Sequence, residues 1–115
     1  MARFESDRVR AKIVKYWPDD DPEEIMNVLN EYGTTASERG RTRVQLAILK
    51  MSEGDKERLP ELVKMAKQDY RDVLACAEYP EQMRLGFVGL SKLSREERNA
   101  IKKRDEKQYR KWLRG

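Results

Sequence analysis

The stretch RTRVQLAILKMSEGDKERLPELVKMAKQDYRDVLACAEYP, residues 41–80, decides the fold class. From Leu59 onward its apolar positions are Leu59, Leu62, Val63, Ala66, Tyr70, Val73, Leu74 and Ala77. The increments run i, i+3, i+4, i+7, i+11, i+14, i+15, i+18, which keeps all eight on one helical stripe and predicts a single helix over 59–78. The alternation that a strand requires is absent. Pro60 suits the first turn of that helix, and Pro80 is expected to stop it. Upstream, Val44, Ala47, Ile48 and Met51 repeat the spacing, with Leu46 and Leu49 widening the face, so a helix is expected over 36–52. Gly54 reads as its C-terminal cap and Asp55 as the start of the turn. Two amphipathic helices joined by so short a break predict a central antiparallel helical hairpin.

Composition agrees. The 115 residues suffice for one domain with a real core. Charged residues make up 40% of the chain, and only four prolines and six glycines interrupt it, a balance that suits helices. No apolar run has the length of a bilayer span, and no signal-peptide core follows Met1. The single cysteine, Cys76, excludes an internal disulfide, so a reducing cytoplasm is the expected location. With no histidine and one cysteine, the usual zinc ligands and the commonest general base are missing. No cofactor or metal is expected.

The flanking segments extend the helical pattern. Val9, Ile13, Tyr16 and Trp17 share a face, giving a helix over 7–16 with Ser6 as N-cap and Trp17-Pro18 as its end. In Asp19-Asp20-Asp21-Pro22-Glu23-Glu24, Asp21 caps a helix, Pro22 takes its first position, and the glutamates meet the positive end of the dipole. The same aspartates lack the ligand alternation and central glycine of a calcium loop. That second helix, 22–32, uses Ile25, Val28, Leu29 and Tyr32, and Gly33 closes it. Helix, glycine turn and a helix bearing Arg39, Arg41 and Arg43 invite a helix-turn-helix comparison. Arg39 stands where that motif needs an apolar packing residue, so an ordinary hairpin with a solvated arginine face is the better reading. The expected core is Val28, Leu29, Val44, Ile48, Leu62, Val63, Tyr70, Val73 and Leu74.

On the residues ERGRTRVQLAILKMSEGD and DYRDVLACAEYP, the segment from about Asp21 to Pro80 resembles a family of small uncharacterised bacterial proteins. In that family leucine stands where this chain has Met51, and tryptophan where it has Cys76. The resemblance implies an all-helical bacterial cytoplasmic protein and no activity. Within the second string, Asp69 and Asp72 lie one turn apart, a spacing that suits acid–base or cation chemistry. Surface salt bridges involving Lys64, Lys67 and Arg71 explain the same residues more simply. Cys76 reads as a half-buried small residue, since no histidine is present to activate it.

After Pro80 the pattern breaks. Met83, Leu85, Phe87, Val88, Leu90 and Leu93 are apolar, but Gly86 and Gly89 interrupt them, so 81–93 reads as an apolar connector or hinge. Ser94-Arg95-Glu96-Glu97 is a capping box that opens a last helix over 95–113. Residues 92–115 hold ten Lys/Arg against four Asp/Glu, whereas 1–91 hold fifteen against seventeen. A slightly acidic body, 1–91, thus carries a basic C-terminal arm, 92–115. Lys103, Lys107, Arg110, Lys111 and Arg114 form one stripe, with Trp112 beside it.

The expected fold is therefore all-α, a single-domain bundle of about five helices with a basic C-terminal helix. The leading functional expectation is a non-catalytic helical module that binds a protein partner or itself as a homodimer. The runner-up is nucleic-acid binding through Lys103, Lys107, Arg110, Lys111, Trp112 and Arg114, with Trp112 stacking on an unpaired base. An enzyme comes third, because no constellation of catalytic groups can be assembled. The last helix is too sparse in apolar residues to lie on a membrane.

Overall fold

The structure, a computed structural model, describes residues 2–35 and 40–115, with side chains from Arg8 onward. Seven α-helices are present among these residues, and none of these residues lies in a strand. They are α1 (Ala2–Tyr16), α2 (Pro22–Leu29), α3 (Arg41–Ser52), α4 (Leu59–Gln68), α5 (Tyr70–Glu78), α6 (Pro80–Ser91) and α7 (Arg95–Arg114), with a 3-10 turn at Lys56–Arg58. The shape is elongated, 47 × 29 × 29 Å.

The all-α class stands, but the helix count rises from five to seven because two predicted segments divide or fold. The stripe over 59–78 is broken at Asp69, whose backbone is extended (φ −157°, ψ 98°). Its carboxylate accepts the Arg71 N–H at 3.0 Å and so starts α5 as an N-cap. Spacing alone could not reveal the break, since an apolar stripe continues across a short extended residue. The connector over 81–93 is likewise mostly helical. Pro80 does end α5, yet it also opens α6, where its missing N–H costs nothing. Gly86, at φ 70° and ψ 177°, puts a kink in the middle of α6.

Boundaries also move. The first helix starts at Ala2, so Ser6 lies inside it and is no cap. The second ends at Leu29, and a turn over residues 30–33 carries the chain to Gly33 at φ 99°. A Cβ at Gly33 would lie 2.8 Å from the Arg41 side chain, so no other residue fits there without rearrangement. The expected start of the third helix near residue 36, with Ser37 and Arg39, lies outside the described residues. At its far end Glu53 adopts the left-handed conformation (φ 53°), next to Gly54 at φ 83°. Asp55 accepts the Glu57 N–H at 3.0 Å, capping the 3-10 turn.

The core sits around α3, which packs on α1, α4 and α5. Val9, Ile13, Leu29, Tyr32, Val44, Ile48, Leu49 and Leu59 are buried within it. Each such side chain stabilises the fold by about 1.5–3 kcal/mol relative to exposure. Of the expected core, Leu29, Val44, Ile48, Leu62, Val63, Val73 and Leu74 are buried. Val28 and Tyr70 are half-buried against the cluster. Polar groups bind the helices together. Gln45 donates to the Leu29 carbonyl at 2.9 Å and to Asn30 Oδ1 at 3.1 Å, satisfying the end of α2. Trp17 Nε1 donates to the Gly54 carbonyl at 2.9 Å. Arg41 and Arg43 are not an idle solvated face: Arg41 reaches Asn30 Oδ1 at 2.6 Å, and Arg43 forks onto Glu78 at 2.6 and 2.7 Å.

Candidate partner-binding surface

The last two helices divide into a half that closes the body and a half that stands off from it. Along α7, Tyr109, Trp112 and Leu113 pack against the core cluster. Trp112 Nε1 donates to Tyr16 Oη at 2.7 Å, and its ring lies 5.7 Å from that of Tyr109 in a stacked arrangement. The buried Lys12 donates to the Trp112 carbonyl and lies 4.3 Å from the Trp112 ring centroid. Burial pushes the Lys12 ammonium below its ordinary pKa, with Lys15 adding to the effect. Burial also raises the Tyr109 phenol to about 12.

The joint between the two halves is Asp105. It is 2% exposed, and its carboxylate accepts the N–H groups of Glu81 at 3.0 Å and Gln82 at 3.1 Å, plus Gln82 Nε2 at 3.0 Å. A residue of α7 thus caps the N-terminus of α6, a position where Tyr79 supplies no side-chain cap of its own. Arg104 forks onto Glu81 at 2.7 and 3.0 Å and holds that carboxyl below its ordinary value. Gln108 donates to the Ala77 and Glu78 carbonyls at 3.3 and 3.2 Å, closing the end of α5.

Beyond this joint the surface changes character. No residue of α6 is buried, although five of its twelve are Met83, Leu85, Phe87, Val88 and Leu90. Phe87 is 89% exposed and Val88 66%. Ser94 and the first turns of α7, residues 94–100, are exposed throughout. Residues 83–104 carry seven Lys/Arg against two Asp/Glu. One of the two, Glu97, accepts the Ser94 N–H at 3.1 Å in the capping box. The exposed apolar side chains of α6 thus stand in a stretch of sequence rich in cations.

The sequence-derived stripe divides differently. Lys103, Lys107, Arg110, Lys111 and Arg114 are exposed and share one shallow groove with Glu106. Arg110 pairs with Glu106 at 3.5 Å, and no ion pair reaches the other four among the described residues. Trp112 does not join them, because its ring and N–H are engaged with Tyr16, Tyr109 and Lys12. Asp69 is occupied as a cap and by Arg71 at 3.0 Å, which draws its carboxyl below the ordinary range. Lys67 donates to the Glu31 carbonyl at 2.9 Å, and Cys76 is half-buried. Among the described residues no cluster of three potential metal ligands occurs, and no helix is long and apolar enough to cross a membrane.

Sequence reasoning missed Lys12 and Asp105. Both stand on apolar stripes, Lys12 between Val9 and Tyr16, and Asp105 between Ile101 and Tyr109. A charge at a core-facing position was the available signal.

No protein-family model matches the chain, and neither a curated protein nor a solved structure matches it.

Proposed function

We propose that the protein is a non-catalytic interaction module whose α6–α7 arm binds an acidic amphipathic segment of another protein. The observation that carries this is Phe87, 89% exposed beside Val88 on a helix that buries nothing. An apolar patch of this kind on a folded surface marks an interaction site. Its surround selects the partner. With Arg104 taken up by Glu81, six cations against two anions over residues 83–104 favour an apolar face flanked by Asp and Glu, and they oppose a second arm, which would bring like charge to like. Two features of the fold suit the role. Asp105 and the Arg104–Glu81 pair fix the base of α6, and Gly86 turns its outer half away from a plain helical course.

Titration of an amphipathic helical peptide with leucine on one face and glutamate on the other tests the proposal. Binding should weaken by about tenfold or more, roughly 1.4 kcal/mol, in the double variant Phe87→Ala/Val88→Ala. Light scattering on the same samples assigns the alternatives. A dimer that the double variant dissolves would transfer the patch to self-association, and binding unchanged by the substitutions would remove the patch from the interaction.

A second reading, nucleic-acid binding along α7, is favoured by the four unpaired cations of the shared groove, Lys103, Lys107, Lys111 and Arg114. Contacts of this type are electrostatic and indifferent to sequence. Affinity for single strands should then fall with a log–log salt slope of roughly −0.7 per phosphate contacted. Glutamine at these positions should flatten the slope. An absence of binding at low salt and micromolar protein removes this reading.

A further inference from the structure

On the side of the bundle where α1, α3 and the C-terminal half of α7 meet lies a cleft of about 530 Å³. Its cationic side chains are Lys12 and Lys15 from α1, Lys50 from α3 and Lys111 from α7, no Asp or Glu side chain lines it among the described residues, and Gly115, next to Lys15, completes the rim. Tyr16 and Trp112 supply its aromatic wall. A second cleft of about 130 Å³ shares Lys12 and Lys15 and adds Arg8 and Arg114. We propose that this cleft binds the phosphate groups of an oligophosphate-bearing ligand through Lys12, Lys15, Lys50 and Lys111.

Three independent features support the assignment. The first is convergence. Four lysines from three separate helices face one concavity, whereas cations that serve only solubility scatter over a surface. The second is the absence of compensation. Lys12 is 7% exposed, and among the described residues its partners are the Trp112 carbonyl and ring, not a carboxylate. Lys50 is half-buried and forms no ion pair among the described residues, although Glu53 and Asp105 lie near enough to attract it. Burial lowers the pKa of both ammonium groups, so the free protein carries cations that an anion at the same place would stabilise. The third is rigidity. Trp112 is pinned by Tyr16 at 2.7 Å and by the stack on Tyr109, which fixes the wall against which Lys12 lies.

The chemistry that fits is phosphate rather than a single carboxylate. Lysine ammonium groups act as point charges with three donors each, and several of them match the distributed oxygens of linked phosphates. A free oligophosphate and a nucleic-acid backbone present the same groups. The inference does not depend on the arm, since Phe87 and Val88 line neither cleft.

Isothermal titration of the full chain at low salt, with tripolyphosphate in one arm and a single-stranded oligothymidylate in the other, tests the proposal. The Trp112 indole N–H resonance is followed in parallel. Because a basic protein attracts any polyanion, two double variants are compared. Lys15→Gln/Lys50→Gln removes two charges from the cleft, and Lys64→Gln/Arg98→Gln removes two elsewhere. All four positions lie at the surface or half-buried, and circular dichroism checks that each variant retains its helices. The expected result is binding with an indole shift, weakened about tenfold or more by the cleft variant and less than about twofold by the control. Cleft-dependent binding of tripolyphosphate assigns a free oligophosphate, and cleft-dependent binding of the oligonucleotide alone assigns a nucleic-acid backbone. No binding in either arm, or equal loss in the two variants, would overturn it.

Discussion

Helices α3 and α6 have the same length, twelve residues, and similar apolar content, yet α3 buries seven of its residues and α6 none. In α3, Val44, Ala47, Ile48 and Met51 recur at helical spacing, and Leu46 and Leu49 extend contact to a second side, so α1, α4 and α5 can all pack on it. In α6 the kink at Gly86 interrupts the helix between Leu85 and Phe87, and Met83, Leu85, Phe87 and Val88 all stay exposed. Apolar content therefore does not by itself decide burial; its alignment on a face that the body covers does, as the stripe that stays buried across the break at Asp69 shows. A chain that keeps Phe87 in water gives up the stabilisation that burying it would bring.

The sharpest way to break the comparison is through the core of α3. Leu49 is fully buried, so Leu49→Ala should cost about 2–5 kcal/mol in urea unfolding. A loss of a few tenths would mean that α3 is not the centre of the fold. Next comes the joint. Asp105→Ala leaves the Glu81 and Gln82 N–H groups without their acceptor and should cost about 1–3 kcal/mol. Amide exchange should accelerate in the first turn of α6 and stay unchanged in α3. Equal acceleration in both would show that Asp105 supports the whole bundle rather than the arm.

Gly86→Ala should cost about 1 kcal/mol or somewhat more, because φ 70° with ψ 177° is accessible almost only to glycine. Nothing lies within 4 Å of the added Cβ, so backbone strain alone sets the effect. If α6 instead straightens, stability would hold and peptide binding would change, which circular dichroism and the peptide titration separate.

Two titrations sharpen the contrast further. Tyr109, packed on the body, ionises near 12, above the ordinary 10.0. Its folded pKa is raised, so its contribution is present below pH 10.0 and is lost as pH rises toward about 12. Ultraviolet difference titration should show a late-ionising tyrosine that Tyr109→Phe removes. Glu81, at the base of the arm, is held below its ordinary 4.5 by Arg104. Its contribution is present above pH 4.5 and is lost as pH falls through the lower folded value, and Arg104→Gln should erase that loss.

Much of the body was legible because its helices obey one rule. The stripes through Val44–Ile48 and Leu62–Val73 mark the core, and Asp21-Pro22 marks a helix start that the structure repeats, with Asp21 accepting the Glu23 N–H at 3.0 Å. The break at Asp69 was hidden, since a cap residue on an unbroken stripe looks like any exposed aspartate. The helicity of α6 was hidden too, because its cap is a carboxylate more than twenty residues away in sequence, beyond the reach of any local pattern. Of the candidate sites, the basic stripe of α7 was readable from spacing. The four-lysine cleft was not, because Lys12, Lys15, Lys50 and Lys111 meet only when α1, α3 and α7 pack.

With Phe87 89% and Val88 66% exposed, the outer half of α6 takes no part in holding the fold. Urea unfolding of Phe87→Ala/Val88→Ala beside Leu49→Ala tests it most directly. The double variant should unfold within about 0.5 kcal/mol of the parent chain, with an unchanged slope, while Leu49→Ala loses several times that amount. A double variant as damaged as Leu49→Ala would show that Phe87 and Val88 are already covered, and the claim would fall.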